Sequence, residues 1–84
     1  MKPIRLTGHA TEQCVDRGTS EAEVREAIEQ GVAEPAKRGC LMYRLNLSYR
    51  THWQGQFYAI KQVAPIVTET ENEIIVVTVY TFYF

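Results

Sequence analysis

The chain is poor in the residues that build metal and cofactor sites. Its two cysteines, Cys14 and Cys40, stand in different predicted elements. His9 does not share a helical face with Cys14, and His52 has no thiol or carboxylate companion at a ligand spacing. Glycine-rich phosphate loops, serine nucleophile elbows and dinucleotide fingerprints are missing as well. We therefore expect neither a metal nor a cofactor, and we expect both thiols to be reduced.

Long apolar runs are also missing. The longest one is far too short to cross a bilayer, and no targeting segment is recognisable. We therefore expect a cytoplasmic protein that does not enter a membrane. The 84 residues contain no repeat or linker and predict one domain over residues 1–84. An apolar share of 45% argues against disorder.

Neither sign of charge dominates, since nine Lys and Arg face ten Asp and Glu for a net charge of −1. This balance excludes a polycation that binds nucleic acid through its bulk charge. The distribution is uneven, however, because acids crowd the predicted helices. Residues 37–68 contain no acid and five cations, which are Lys37, Arg38, Arg44, Arg50 and Lys61. This stretch predicts a basic patch on the sheet, and the alternative is a set of solvated strand ends.

Capping residues delimit two predicted helices. Thr7 caps a first helix that runs to about residue 17, and Gly18 suits its left-handed end. Ser20 and Glu23 form the S-x-x-E capping box of a second helix, which Gly31 ends.

The rest of the chain has the patterns of β-strands. Ile4–Leu6 is a short extended entry, Cys40–Tyr49 alternates apolar and polar residues, and Phe57–Val63 continues extended. Pro65 marks a bulge or an edge position, because it cannot donate to a strand ladder. The last strand, Glu73–Phe84, is almost purely β-branched and aromatic. The order is β-α-α-β-β-β, which predicts an α+β fold with two N-terminal helices on one face of a mostly antiparallel sheet.

The last strand is apolar on both sides, so we expect it at the centre of the sheet or against a partner. Strict alternation puts one set on a single side of the pleat: Val76, Thr78, Tyr80, Phe82 and Phe84. We expect Thr78 and Tyr80 to face away from the helices, with Val77 and Val79 in the core.

The first long strand separates the two faces of the sheet. Leu45 and Leu47 belong under the helices, and Arg44 and Asn46 face outward. Strand parity then allows Lys61 to join the outer face, although the cross-strand register cannot be read from the sequence.

Four short motifs together span nearly the whole chain. They are His9-x7-Arg17-Gly18, Thr19-Ser20-x-x-Glu23-Val24, Ile28-x-x-Gly31 and Val76-Val77-Thr78-Val79-Tyr80. These motifs resemble the domain of unknown function family 4258, which is akin to RelE- and BrnT-type toxins, small bacterial ribonucleases with the same element order. The resemblance implies a RelE/BrnT-like fold and a metal-independent endoribonuclease activity. The chain departs from a typical toxin in being slightly acidic.

Such a reaction needs a proton acceptor and cationic charge on the phosphoryl oxygens. The hypothesis assigns proton transfer to His9, phosphate binding to Arg44 and Lys61, and a supporting hydrogen bond to Tyr80. Further candidates for RNA contact are Arg17, Arg50, Trp53 and Thr78. Structural roles are the alternative throughout: a helix-end cation, a packed indole, or ion pairs of Arg44 and Lys61 with Glu69 or Glu71.

Two functions from different classes remain open. As an enzyme, the chain would act on RNA and be restrained by an antitoxin protein. As a non-catalytic module of the same fold, it would bind a protein or itself. In either case we expect a homodimer in which Phe82, Phe84 and Val76 pack across a two-fold axis, because exposed aromatic patches are uncommon on monomers.

Overall fold

The computed structural model describes residues 1–84 as two helices on one mixed five-stranded sheet. The elements are β1 (Ile4–Leu6), α1 (Gly8–Arg17), α2 (Glu21–Gln30), β2 (Val32–Pro35), β3 (Leu41–Trp53), β4 (Gln56–Glu69) and β5 (Ile74–Tyr83). The spatial order is β1-β5-β4-β3-β2; β1 runs parallel to β5, and the other three pairings are antiparallel. The α+β class is confirmed. Neither helix is long and apolar enough to span a membrane.

The sequence does not predict β2, so the element order is β-α-α-β-β-β-β rather than β-α-α-β-β-β. All four residues of Val32–Pro35 are exposed, and the strand therefore lacks the alternation that marks a half-buried strand. Its pairing with β3, from Val32 opposite Arg44 to Pro35 opposite Leu41, holds it in place.

Local capping forms both helices as predicted. The Thr7 hydroxyl accepts from the Ala10 N–H at 3.1 Å, and the Ser20 hydroxyl accepts from the Glu23 N–H at 3.2 Å. Gly18 ends α1 in the left-handed conformation, with φ of 74°. These contacts satisfy backbone N–H groups that a helix start leaves free.

The core lies between the two helices and one face of the sheet, which we call the inner face. Its buried side chains are Ile4, Ala10, Cys14, Val24, Ala27, Ile28, Val63, Val67, Ile74, Val76 and Val79. Each fully buried valine contributes about 1.5–3 kcal/mol relative to exposure. The opposite side of the sheet carries no helix, and we call it the open face.

A bulge in β5 overturns the predicted alternation of the last strand. Ile66 pairs with Thr78 while Val67 pairs with Val76, so Val77 is an extra residue in the ladder. Val76 is therefore buried on the inner face, away from Phe82, and Val77 is only half-buried rather than part of the core. The predicted dimer contact through Val76 is wrong for this reason.

Past the bulge, the faces are those expected from the sequence. Val79 enters the core, whereas Thr78, Tyr80 and Phe82 occupy the open face. Strand β5 lies between two neighbours only at Ile74–Val76, where β1 pairs with it on the side away from β4. The rest of β5 is an edge of the sheet. Pro65 lies in the interior strand β4 beside this bulge, not at an edge of the sheet.

Candidate functional site

The open face carries a cavity of about 480 Å³ between the β2–β3 connection and β5. We call it the basic cavity. It is lined by Glu34, Pro35, Ala36, Lys37, Arg38, Cys40, Met42, Arg44, Ile66 and Tyr80. Three cations thus face one carboxylate, with a phenol hydroxyl and apolar side chains beside them. Such a set of donors suits an anion that also has an apolar part.

A tight turn brings Lys37 and Arg38 to this cavity. The Cys40 N–H donates to the Lys37 carbonyl at 3.2 Å, and Arg38 and Gly39 have φ of 61° and 73°. Pro35 pairs with Leu41 and the Ala36 N–H donates to the Cys40 carbonyl, so residues 37–39 form a three-residue loop. An arginine in the left-handed conformation costs about 1–2 kcal/mol, and backbone strain of this kind clusters at ligand sites.

Arg44 and Tyr80 face each other across a small residue. The register from Met42–Ile66 to Leu45–Val63 puts Arg44 opposite Ala64, and Ala64 in turn pairs with Tyr80. Two strand spacings separate the Arg44 and Tyr80 backbones by about 10 Å. Ala64 itself is fully buried, so the longer side chains around it close over its methyl group.

Protein contacts hold the Arg44 guanidinium in place but use only some of its hydrogen-bond donors. Its Nε donates to Glu34 Oε1 at 2.9 Å and its Nη1 to Gln62 Oε1 at 2.8 Å, and it lies 5.5 Å from the Phe82 ring centroid. Most of its five N–H donors have no protein acceptor. The partner is Glu34 rather than Glu69 or Glu71, because β2 pairs with β3 and brings Glu34 alongside.

Helix α1 adds further predicted site residues along β5. His9 Nε2 lies 3.4 Å from Thr78 Oγ1, and the His9 side chain is exposed. The Arg17 guanidinium lies 5.4 Å from the centroid of the Tyr80 ring. Since Thr78 and Tyr80 are two residues apart on the open face, this group continues into the basic cavity where Tyr80 meets Arg44.

Lys61 does not belong to this group, so its predicted place on the open face is wrong. It pairs with Leu47 and Tyr83 on the inner face, where only 6% of it is exposed. Its Nζ lies 2.7 Å from Glu23 Oε1 and donates to the Gly18 carbonyl at 2.9 Å. Strand parity offered two faces for Lys61, and only the β3–β4 register, which depends on distant residues, decides between them.

Trp53 and Arg50 also lie apart from the basic cavity. The half-buried Trp53 indole stacks on Tyr83 with 5.1 Å between centroids and 15° between planes, so it serves packing. Arg50 is exposed at a bulge in β3, with φ of 49°, and lines a different cavity with Ser48 and Ile60. The predicted five-cation patch is therefore divided among three places.

The sequence places the turn cations Lys37 and Arg38 in the predicted basic patch but does not mark them as site residues. Their side chains become functional candidates only because β2 folds back onto β3, and β2 has no sequence signature of its own. The signal that was available is the left-handed Arg38-Gly39 pair, which is a weaker hairpin motif than Asn-Gly. No three His, Cys, Asp or Glu side chains converge as potential metal ligands.

No family model, curated protein sequence or solved structure matches this chain. The resemblance to family 4258 therefore stays a prediction.

Proposed function

We propose that this chain is a cytoplasmic, RelE/BrnT-like endoribonuclease that needs no metal and binds RNA on its open face. The observation that supports this most directly is the continuity of the site. The basic cavity, with Lys37, Arg38 and Arg44, adjoins Tyr80, which leads to an exposed imidazole at His9. A phosphodiester needs cationic donors and a proton acceptor. On this path Arg17 beside Tyr80 and Arg44 in the cavity are the cations, and His9 is the acceptor.

In the proposed reaction, the 2′-hydroxyl oxygen attacks the adjacent phosphorus while the bond to the 5′ oxygen breaks. His9 accepts the hydroxyl proton, as an imidazole near neutral pH can do. Arg44 neutralises the phosphoryl oxygens, Tyr80 donates a hydrogen bond to them, and water protonates the leaving 5′ oxygen. The products are a 2′,3′-cyclic phosphate and a free 5′-hydroxyl. Lys61 has no part in this scheme, because its ammonium is already bonded on the other face.

The test is RNA cleavage by the purified protein in the presence of EDTA. We expect wild type to cleave and Arg44→Gln to be slower by about 100-fold, since removing one donor to a transition-state oxyanion costs that much. Arg25→Gln is the matched control, because Arg25 lies on helix α2, on the other side of the sheet, and forms an exposed ion pair with Glu21. Absence of cleavage for every RNA, free or ribosome-bound, at micromolar protein would contradict the proposal.

The proposal includes an antitoxin protein as partner. An active ribonuclease of this kind arrests its host, so expression of wild type alone should be toxic and expression of Arg44→Gln tolerated. High-level tolerated expression of wild type favours the second candidate function.

That second candidate is a non-catalytic, self-associating module. Exposed apolar side chains on the open face favour it: Ile60 is 37% exposed, Phe82 39% and Phe84 61%. The Phe84 N–H donates to the Ile60 carbonyl at 3.0 Å, which keeps the patch together. This candidate expects a homodimer through Phe82 and Phe84 that sediments at twice 9.7 kDa, weakens in Phe82→Asp and leaves RNA intact.

A further inference from the structure

A chain of hydrogen bonds crosses the open face next to the basic cavity. Glu34 accepts from Arg44, Arg44 donates to Gln62 Oε1 at 2.8 Å, and Gln62 Nε2 donates to Asn46 Oδ1 at 2.9 Å. The chain ends there, because the Asn46 Nδ2 has no acceptor in the protein. Asn46 is exposed and lines a cavity with Arg44 and Gln62.

This chain of hydrogen bonds can run in only one direction. An arginine can donate but never accept, so the amide oxygen of Gln62 must face it. The Gln62 nitrogen then has to donate, and the oxygen of Asn46 has to accept. Rotating either amide by half a turn would set donor against donor, so the permanent charge of Arg44 fixes the orientation of both. Asn46 therefore presents two free N–H donors to the open face, while its oxygen already accepts from Gln62.

We propose that Asn46 reads a nucleobase and selects uracil or guanine over cytosine or adenine. Uracil and guanine carry a carbonyl oxygen at the position where cytosine and adenine carry an amino group. The donors of Asn46 pair with the carbonyl, whereas an amino group would leave both partners as unpaired donors. This inference rests on the proposed function, since it requires that RNA lie on the open face.

The surroundings of Asn46 suit a base rather than a phosphate. Asn46, Gln62 and Phe82 form one row across β3, β4 and β5. The two amides are neutral, and the Phe82 ring is 39% exposed with the Arg44 guanidinium 5.5 Å from its centroid. A base can stack on such a ring while its edge reaches the amides. Arg44 lies two residues before Asn46 on the same face, about 7 Å away along the strand. A phosphate at Arg44 and its base at Asn46 fit that separation.

The experiment measures binding of short oligoadenylates that differ only at one central base, with 2′-O-methyl riboses to prevent cleavage. Fluorescence anisotropy should show wild type binding the uracil and guanine oligonucleotides about tenfold more tightly than the cytosine and all-adenine ones. In Asn46→Asp, the carboxylate still accepts from Gln62 but offers only acceptors to the base, so the preference should reverse. Asn46→Ala should bind all four oligonucleotides equally.

Asn72→Asp is the matched control, since it makes the same charge change at an exposed loop residue away from the open face. It should keep the wild-type preference, which separates base reading from a general loss of affinity. Equal binding of all four oligonucleotides by wild type, or an unchanged preference in Asn46→Asp, would overturn the inference and leave the proposed function standing. No binding of any oligonucleotide would overturn both.

Discussion

Arg44 combines contacts that fix its side chain without neutralising it. The ion pair with Glu34 is solvent-exposed, with 38% and 49% of the two side chains accessible, and pairs of this kind contribute about 0–1 kcal/mol. An incoming phosphate can therefore displace or share the contact at little cost. The bond to Gln62 and the ring of Phe82 meanwhile hold the guanidinium in position. Preorganisation of this kind lowers the entropic cost of binding an anion.

Two glycines with the same backbone conformation allow a test at the residue scale. Gly18 and Gly39 have φ of 74° and 73°, but a Cβ at Gly18 would lie 2.5 Å from the Trp53 ring, and a Cβ at Gly39 would meet nothing within 4 Å. Both alanine variants lose about 1–2 kcal/mol through the left-handed conformation. We expect Gly18→Ala to lose about 1–3 kcal/mol more, because it also overpacks the Trp53–Tyr83 stack.

Urea unfolding of the two variants measures this difference. The shared φ makes Gly39→Ala an internal control for the backbone contribution. Equal losses in the two variants would mean that Trp53 and Tyr83 do not pack against the end of α1.

At the scale of elements, the end of α1 is fastened to the inner face by side chains from β4 and β5. The Arg17 carbonyl accepts from the Thr81 hydroxyl at 2.9 Å and the Tyr83 hydroxyl at 2.6 Å, while Lys61 donates to the Gly18 carbonyl. These carbonyls would otherwise be free at the helix end. The contacts position α1, and with it His9 and Arg17, beside the open face.

This attachment makes folding sensitive to alkaline pH. Burial raises the pKa of the Tyr83 phenol above its ordinary value of 10.0, and the charges of Tyr49 and Glu23 raise it further against the opposing hydrogen bond with Thr81. The folded state therefore holds this proton more tightly than the unfolded state. Stability should fall as pH rises through about 10 toward the folded pKa.

We expect the urea midpoint to fall more between pH 9 and pH 11 for wild type than for Tyr83→Phe, which lacks the titrating group. At pH 9 the variant should be less stable by about 1 kcal/mol, since it loses the hydrogen bond to Arg17. Burial also raises the pKa of the Cys14 thiol, and that contribution is common to both proteins. Parallel pH dependence of the two midpoints would show that Tyr83 does not titrate in this way.

The sequence predicts correctly those structural features that residues close together in the chain decide. Thr7, Gly18 and Ser20 cap the helices as expected, because a cap is decided within four residues. Pairing between distant segments decides three other features: the exposed strand β2, the bulge at Val77 and the position of Lys61 on the inner face. For the same reason, the sequence names Lys37 and Arg38 as cations of a basic patch, but their place beside Arg44 follows only from the pairing of β2 with β3.

At the scale of the whole molecule, the two faces of the sheet have different roles. The inner face is filled by the helices and contains the core, the ion pair of buried Lys61 with half-buried Glu23, and the aromatic stack. The open face holds the basic cavity at one end and the apolar patch of Ile60, Phe82 and Phe84 at the other. A net charge of −1 gives no overall attraction for RNA, so the proposed binding relies on cations concentrated in this way.

The most direct test of this account maps the RNA site by amide chemical shifts during titration with a non-cleavable oligonucleotide. The account predicts that the largest changes occur at Arg38, Arg44, Thr78 and Tyr80, and that they weaken steeply with added salt as phosphate contacts do. Residues of helix α2 that pack in the core, such as Val24 and Ala27, should change little. Changes confined to the helices or to the inner face, or none at all, would contradict the claim that the open face binds RNA.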